Sequence, residues 1–260
     1  MTTYIDINCD MGESYGRWTL GCDEEIMPNI TSANVACGFH GGDPHVMRRT
    51  VELCVQHGVA IGAHPSLPDL MGFGRRRMDV SPEELKDYHR YQTGALAAFA
   101  KAAGQTLQHV KPHGIQYHMF DENLPLGRAS AEQVYELDPD LILMTMAQTK
   151  YDAEARKTKA RVAAEGFADR VYADDAQLVS RKLGKDALVS DPSKAADQAV
   201  SLVMEGKVKT ITGKVIPVSI QTICIHGDSP GADKIVAAVR DGLVKAGAVV
   251  KPLRDWFPRR

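Results

Sequence analysis

The chain has 260 residues, of which 44% are hydrophobic and 25% are charged, and its formal net charge is -2 at pH 7. This composition supports a large core without disulfides. The mixed charges give no basic surface for nucleic acid or an anionic membrane, so neither is an expected partner. The first residues lack the segments of a signal peptide, and no apolar run approaches the roughly 18 residues of a membrane helix, which predicts a cytoplasmic protein.

Seven short runs of apolar or β-branched residues, each closed by polar residues or glycine, predict seven strands. In chain order they cover residues 4–9, 31–36, 59–63, 107–110, 141–144, 170–173 and 222–225. Five cysteines without a CxxC pair fit buried packing, with a reactive thiol at Cys9, Cys37 or Cys224 as the alternative.

Helical segments are predicted between most of these strands, at residues 45–57, 82–103, 129–137, 152–165, 195–205 and 231–246. Ser81, Pro82 and Glu84 form the sequence pattern of a capping box at the start of the second helix. Residues 207–217 predict a small hairpin that turns at Gly213. The alternation predicts an α/β fold in which one domain, residues 1–260, forms a seven-stranded (β/α) barrel. Residues 253–260 form an extension that either packs on the barrel or contacts another subunit of an oligomer.

Titratable side chains follow most of the predicted strands. If the strands are parallel, these side chains converge on one mouth of the barrel. The candidate catalytic residues are Asp10, Glu13, His40, His64, Lys111, His113, His226 and Asp228.

Each candidate has more than one interpretation. Asp10 and Glu13 suit a base and its orienting partner, or two ligands of a hard cation, although Glu13 equally suits helix capping. Lys111 suits polarisation of a carbonyl or stabilisation of an oxyanion or of phosphoryl oxygens, with an ion pair to Asp10 or Asp228 as the structural alternative.

The histidines suit either proton transfer or metal binding. His40, His64 and His226 with Asp10 or Asp228 have the composition of a divalent metal site, and a site formed by Asp10, His40 and His64 is one hypothesis. None of these histidines belongs to an HxxxH or HExxH pair, so general acid or base chemistry is preferred.

Two loops are candidates for anion binding, and several common catalytic and nucleotide-binding motifs are missing from the sequence. The turn 38–42 and the run 75–77 each suit an anion or an ordinary solvated loop. The sequence contains no phosphate loop, no GxSxG elbow and no GxGxxG motif.

Six blocks together resemble the LamB/YcsF family, described as the A component of bacterial 5-oxoprolinase. They are DINCDMGES (6–14), TSANVACGFHGGDP (31–44), VAIGAHPS (59–66) running into GFGRR (72–76), HVKPHG (109–114), FADR (167–170) and IHGDSPGA (225–232). The sequence departs from the usual family pattern at residues 115–118 and 182–187, which affects the choice of substrate more than the reaction class.

The resemblance implies a barrel of the glycoside hydrolase/deacetylase type. It also implies ATP-dependent opening of the lactam ring of 5-oxoproline to glutamate, performed with two partner subunits, B and C. Because the chain lacks a nucleotide motif, we expect it to handle the lactam or its hydrolysis, with ATP shared with the partners. The rival interpretations are a metal-dependent deacetylase or carbohydrate-active hydrolase on the same barrel, and a non-catalytic scaffold protein.

Overall fold

The computed structural model describes residues 2–180, 184, 186–228 and 231–259. Its strands are β1 (Tyr4–Met11), β2 (Ser32–Ala36), β3 (Ala60–His64), β4 (Leu107–Val110), β5 (Ile142–Met146), β6 (Arg161–Phe167), β7 (Lys207–Lys209), β8 (Val215–Pro217), β9 (Thr222–Ile225) and β10 (Val249–Val250). Its α-helices are α1 (Asp23–Ile26), α2 (Pro44–His57), α3 (Pro82–Ala102), α4 (Gln116–Glu122), α5 (Leu124–Leu137), α6 (Lys150–Ala155), α7 (Pro192–Val200) and α8 (Ala232–Lys245). No helix in these ranges is long and apolar enough to cross a membrane.

Seven of the described strands close into a parallel barrel. The order is β1, β2, β3, β4, β5, β6 and β9, and β9 pairs back with β1. Apolar side chains between the strands and the surrounding helices form the main core. The predicted α/β barrel is therefore confirmed, and all its strands direct their carboxyl ends to one mouth.

Two further elements lie outside the ring. The strands β7 and β8 form the predicted antiparallel hairpin, with Gly213 at φ +89° in its turn. The short strand β10 pairs in parallel with the start of β1.

The sixth barrel strand was predicted in the wrong place. Residues 170–173 form only isolated bridges at Arg170 and Tyr172, whereas the strand is β6. This strand occupies the second half of the predicted helix 152–165, of which only the first part is helical, as α6. Every residue of β6 is buried, so the run has no alternation of polar and apolar residues, and its alanines favour helix in isolation.

The helix predictions differ less from the structure. The segments 45–57, 82–103 and 231–246 match α2, α3 and α8 closely, and both hydrogen bonds of the capping box between Ser81 and Glu84 are present. The segment 129–137 is only the second half of α5, and α4 was missed. The segment 195–205 begins inside α7 and continues as the π-helix Ser201–Glu205.

The inside of the barrel is polar near its amino-terminal end. Asp6 is fully buried and accepts hydrogen bonds from the hydroxyls of Thr31 (2.7 Å), Ser32 (2.6 Å) and Thr222 (2.5 Å). Burial raises the pKa of Asp6 to about 6, although these hydroxyls oppose the shift.

The next layer toward the mouth consists of amides and an imidazole. Asn34 donates to Asn8 Oδ1 (2.7 Å), and Asn34 Oδ1 lies 2.7 Å from Nε2 of His109. The interior is thus a stack of hydrogen-bonded polar side chains, in contrast to the branched apolar residues that usually fill parallel barrels.

The carboxy-terminal extension packs on the barrel. Leu253 is fully buried against Ile142, Met144 and Ala163, and Trp256 stacks on Tyr4 at 5.9 Å between ring centroids. Of the two predicted alternatives for this extension, the structure therefore contains the packing on the barrel.

The close approach of β3 to His109 leads to a prediction about Gly62. A Cβ at Gly62 would lie 2.0 Å from His109 Nε2, whereas a Cβ at the exposed Gly94 in α3 would meet no atom within 4 Å. We expect Gly62→Ala to lower the free energy of unfolding by about 1–3 kcal/mol through overpacking. The control Gly94→Ala should raise it by up to about 1 kcal/mol, because alanine is the better helix former. Urea unfolding measures both, and equal stabilities would contradict the described packing.

The buried Asp6 leads to a prediction about pH. Because its folded pKa of about 6 exceeds the ordinary value of 3.8, the protonated form stabilises the fold, and this contribution is lost as pH rises from about 4 to above 6. The shift corresponds to about 3 kcal/mol. We expect Asp6→Asn to remove this loss, so that the variant gains stability relative to the parent between pH 4 and 7. Urea unfolding across that range tests it, with the exposed Asp241→Asn as control. A difference that does not depend on pH would refute it.

Candidate active site

A cavity of about 450 Å³ opens at the carboxyl ends of the strands. Seven of the eight predicted site residues line it: Asp10, Glu13, His64, Lys111, His113, His226 and Asp228. The eighth, His40, lies directly behind, with its ring stacked on that of His113 at 3.6 Å. The structure thus brings the whole predicted set together around one mouth, while their chemical roles stay predictions.

Lys111 lies at the centre of the polar interior and is almost fully buried. Its Nζ is 3.0 Å from Asp10 Oδ1 and 2.9 Å from Glu165 Oε1, and it donates to Asn8 Oδ1 at 3.2 Å. Burial lowers the pKa of Lys111, but the carboxylates of Asp10 and Glu165 outweigh it and hold the pKa well above the usual value. The side chain is therefore an ammonium. The ion pair anticipated with Asp10 is present, whereas Asp228 pairs with Arg75.

Asp10 ends the first barrel strand as an ionised carboxylate. It accepts from Lys111 and from Asn34 Nδ2 (2.8 Å), and His64 Nε2 lies 3.4 Å away. Burial raises the pKa of Asp10, but the charge of Lys111 and the interaction with His64 overcome that effect and lower the pKa well below its ordinary value. So strong an acid is a poor general base, and its geometry suits orientation of Lys111 and of a ligand instead.

Two polar residues beside Lys111 were missed from the sequence. Glu165 is completely buried in β6, and Tyr117 in α4 donates its hydroxyl to Glu165 Oε2 at 3.1 Å. Glu165 was missed because its strand was predicted as a helix, and a glutamate in a helix is usually a solvent-exposed residue without a catalytic role. The available signal was one carboxylate inside the otherwise small and apolar run 162–167. Tyr117 lies in the segment 115–118, where the chain departs from the family pattern.

His226 forms a dyad with Asp169, which was also missed. His226 Nδ1 lies 2.9 Å from Asp169 Oδ2, and the His226 backbone N–H donates to the same oxygen at 3.0 Å. Burial raises the pKa of Asp169, but His226 outweighs it and the pKa is lowered. The carboxylate therefore holds the proton on Nδ1, which leaves Nε2 as the basic nitrogen of a residue that lines the cavity.

A second cluster consists of His40, His64, His113 and Glu13. The rings of His40 and His113 are parallel, and His64 meets both edge-on at 5.3 and 4.9 Å between centroids. His40 Nε2 lies 3.3 Å from Glu13 Oε1. Burial lowers the pKa of His40, and burial together with the neighbouring His40 and His64 lowers that of His113 well below its usual value. Imidazoles kept neutral in this way, beside a carboxylate, form a donor set that fits a divalent transition metal.

The two loops considered for anion binding differ in the structure. Arg75 and Arg77 line the cavity mouth, paired with Asp228 (3.0 Å) and Glu122 (2.6 Å), whereas Arg76 bonds to Asp69. The turn 38–42 closes on itself through a hydrogen bond from Gly38 N to Gly41 O at 2.9 Å, which favours the tight-turn interpretation.

The cysteines near the mouth are buried. Burial raises the pKa of Cys37 to about 12 and the pKa values of Cys9 and Cys224 well above the ordinary value. This favours packing over reactive thiolates.

Parts of the sequence pattern lie outside the described residues. They are Lys182, Leu183 and Lys185 of the second departure from the family pattern, and Ser229 and Pro230 of the loop after β9.

Comparison with known proteins agrees with the residue pattern. The model of the LamB/YcsF family matches residues 5–257. A protein of Pyrococcus furiosus, named as the A component of 5-oxoprolinase, is 48% identical over 253 residues, covering 97% of this chain and 99% of the relative. A protein of Bacillus cereus with the same name is 50% identical over 233 residues, covering 89% and 91%.

Solved structures agree as well. The crystal structure of a lactam utilization protein from Thermus thermophilus superposes with a TM-score of 0.90 at 46% identity, covering 95% of this chain and 99% of that one. A putative cellobiose-phosphate cleavage protein from Enterococcus faecalis superposes with a TM-score of 0.57 at 13% identity, covering 98% and 99%, and shares the fold alone. On the family match and these identities over nearly the full length, the chain belongs to the LamB/YcsF family.

Proposed function

We propose that this chain is the lactam-handling component of an ATP-dependent 5-oxoprolinase, which opens 5-oxo-L-proline to L-glutamate with two partner subunits, B and C. Relatives that match it over nearly their whole length bear the name of the A component of 5-oxoprolinase. The observation that carries the proposal is the buried ammonium of Lys111 at a cavity of about 450 Å³ that His226 also lines. This pairs a fixed positive charge with a base at one small-molecule site.

The reaction needs activation because an unstrained lactam is a poor electrophile. Transfer of the γ-phosphoryl group of ATP to the lactam oxygen releases ADP and makes the ring carbon open to attack by water. The adduct expels the ring nitrogen, which takes up a proton, and the resulting acyl phosphate is hydrolysed by a second water to glutamate and phosphate. We assign ATP to a site shared with the partner subunits.

In this scheme His226 removes the proton from the attacking water through Nε2, and Asp169 holds the ring in the required tautomer. Lys111 stabilises the negative charge of the phosphoryl oxygens carried by the ring carbon, while the electron pair of the C=N bond moves onto the ring nitrogen. Asp10 and Glu165 keep Lys111 charged and fixed in place. Arg75 and Arg77 at the mouth supply positive charge for the substrate carboxylate or the phosphoryl group.

The two rival functions receive less support. A metal-dependent deacetylase rests on fold likeness at 13% identity, which carries no information on the reaction. Burying charges is costly. A scaffold function would not explain why the chain buries the ion pair of Lys111 and Asp10 and orients His226 through Asp169.

The test of this proposal is reconstitution of the three subunits with 5-oxoproline and ATP. We expect glutamate release that requires this chain. Turnover should also require the lactam carboxylate, so 2-pyrrolidinone serves as the matched substrate that lacks it, and its opening to 4-aminobutyrate, like the accompanying release of ADP, should be much slower. Glutamate production at the full rate by the partners alone would overturn the proposal. Turnover by this chain without ATP, abolished by a chelator, would favour the metal-dependent hydrolase.

The dyad of His226 and Asp169 leads to a second prediction, which is tested in the reconstituted enzyme. Asp169→Asn keeps the shape of the side chain but no longer fixes the proton on His226 Nδ1, so we expect kcat to fall by about 100-fold or more. KM should change little, because Asp169 does not line the cavity. Asp241→Asn, on the exposed surface, is the control and should retain the parent rate. Unchanged kcat in Asp169→Asn would exclude His226 as the base.

A further inference from the structure

We propose that Glu13, His40, His64 and His113 form a binding site for one divalent transition-metal ion. The four side chains come from four different places at the barrel mouth: the loops after β1, β2 and β4, and the end of β3. All four are buried, and one donor atom from each lies within 4.8 Å of the others. Side chains so distant in sequence converge on a common point only because the closed barrel brings their strand ends together.

Unsatisfied ring nitrogens are the second observation. His40 Nδ1, His64 Nε2 and His113 Nδ1 are buried and have no hydrogen-bond partner among the described residues, although Asp10 Oδ1 lies 3.4 Å from His64 Nε2. A buried polar nitrogen without a partner is costly, and native proteins contain few of them. Three imidazoles in a single cluster thus each have a ring nitrogen that no protein group uses, and because either nitrogen of an imidazole can bind a metal cation, the cluster has free donor capacity for one ion.

The orientation of His64 supports the same site. Its Nδ1 lies 2.7 Å from the backbone oxygen of Lys111, which accepts the Nδ1 proton. The other nitrogen, Nε2, then carries the lone pair toward the cluster. Metal-bound histidines usually donate a hydrogen bond from the N–H of the second ring nitrogen to a carbonyl or carboxylate in this way.

A competing group of donors is less suitable. Asp10, Cys224 and His226 also have donor atoms within 4.8 Å of one another. The ammonium of Lys111 already lies 3.0 Å from Asp10 and 3.2 Å from Cys224, so a second cation there would be repelled. The metal set Asp10, His40 and His64 anticipated from the sequence is therefore replaced in this proposal by one in which Glu13 and His113 take the place of Asp10.

Three imidazoles and one carboxylate are borderline ligands that suit Zn²⁺, Mn²⁺ or Fe²⁺ better than Mg²⁺ or Ca²⁺. The parallel rings of His40 and His113 place both Nε2 atoms on the side of Glu13, at 3.3 and 3.9 Å from its Oε1. Binding one ion through both rings requires them to turn apart from this stack.

The experiment is metal binding to the purified full-length chain after treatment with a chelator, in the absence of lactam and ATP. Titration with Co²⁺ should give visible absorption bands that saturate at one ion per chain and disappear when Zn²⁺ is added. Calorimetric titration with Zn²⁺ should give the same stoichiometry. Because neither readout depends on catalysis, failure here leaves the proposed 5-oxoprolinase activity standing.

Variants locate the site. Glu13→Gln and His113→Gln each remove one ligand and should weaken Zn²⁺ binding by at least about 10-fold. His57→Ala, which removes an exposed histidine of α2, should bind as the parent does. Circular dichroism checks that each variant folds, and Glu13→Gln, the change closest in shape, decides the result if His113→Gln does not fold. Absence of stoichiometric binding, or equal affinity in Glu13→Gln and the parent, would overturn the proposal.

Discussion

The buried ammonium of Lys111 is the constraint around which the barrel interior is arranged. An isolated buried charge costs several kcal/mol, so it is stable only with opposite charges and hydrogen bonds in place. Asp10 and Glu165 provide the charges at 3.0 and 2.9 Å. Two acidic side chains face one ammonium, so their remaining oxygens need further donors. Asn34 donates to Asp10 and Tyr117 donates to Glu165, which completes the network.

This network continues inside the barrel toward the amino-terminal ends of the strands. Asn34 is held by Asn8 and His109, and the imidazole of His109 fits only because β3 carries Gly62 at the point of closest approach. Burial lowers the pKa of His109 to about 3, and the charge of Lys111 acts in the same direction, so this histidine is neutral. The barrel therefore has an apolar core between strands and helices and a polar one inside the ring. The polar core fixes the position of Lys111 before any ligand arrives.

The sequence predicted the barrel because six of its strands end in recognisable polar loops. Its failures have one physical origin, which is that complete burial removes the pattern on which the prediction depends. All residues of β6 are buried, so its first part, Arg161 to Glu165, was predicted as helix, and Glu165 was missed with the strand. Asp169 was given no role because the sixth strand was predicted at residues 170–173. Asp169 then came before a strand and not after its carboxyl end, where site residues were sought. Asn8 and Asn34 were passed over because an amide inside a strand has no signature until its partners across the barrel are known.

The side chains at the cavity fall into two kinds: those held in one charge state and those that can exchange a proton. Lys111 and Asp10 hold each other ionised, because their pKa values are shifted in opposite directions, well above and well below the usual range. Groups held in one charge state orient a substrate and stabilise developing charge, but they cannot exchange protons with it near neutral pH. His226 differs, because Asp169 binds one ring nitrogen and the other belongs to a residue at the cavity wall. In the proposed mechanism, proton transfer is therefore assigned to His226, and electrostatic stabilisation is assigned to the Lys111 network.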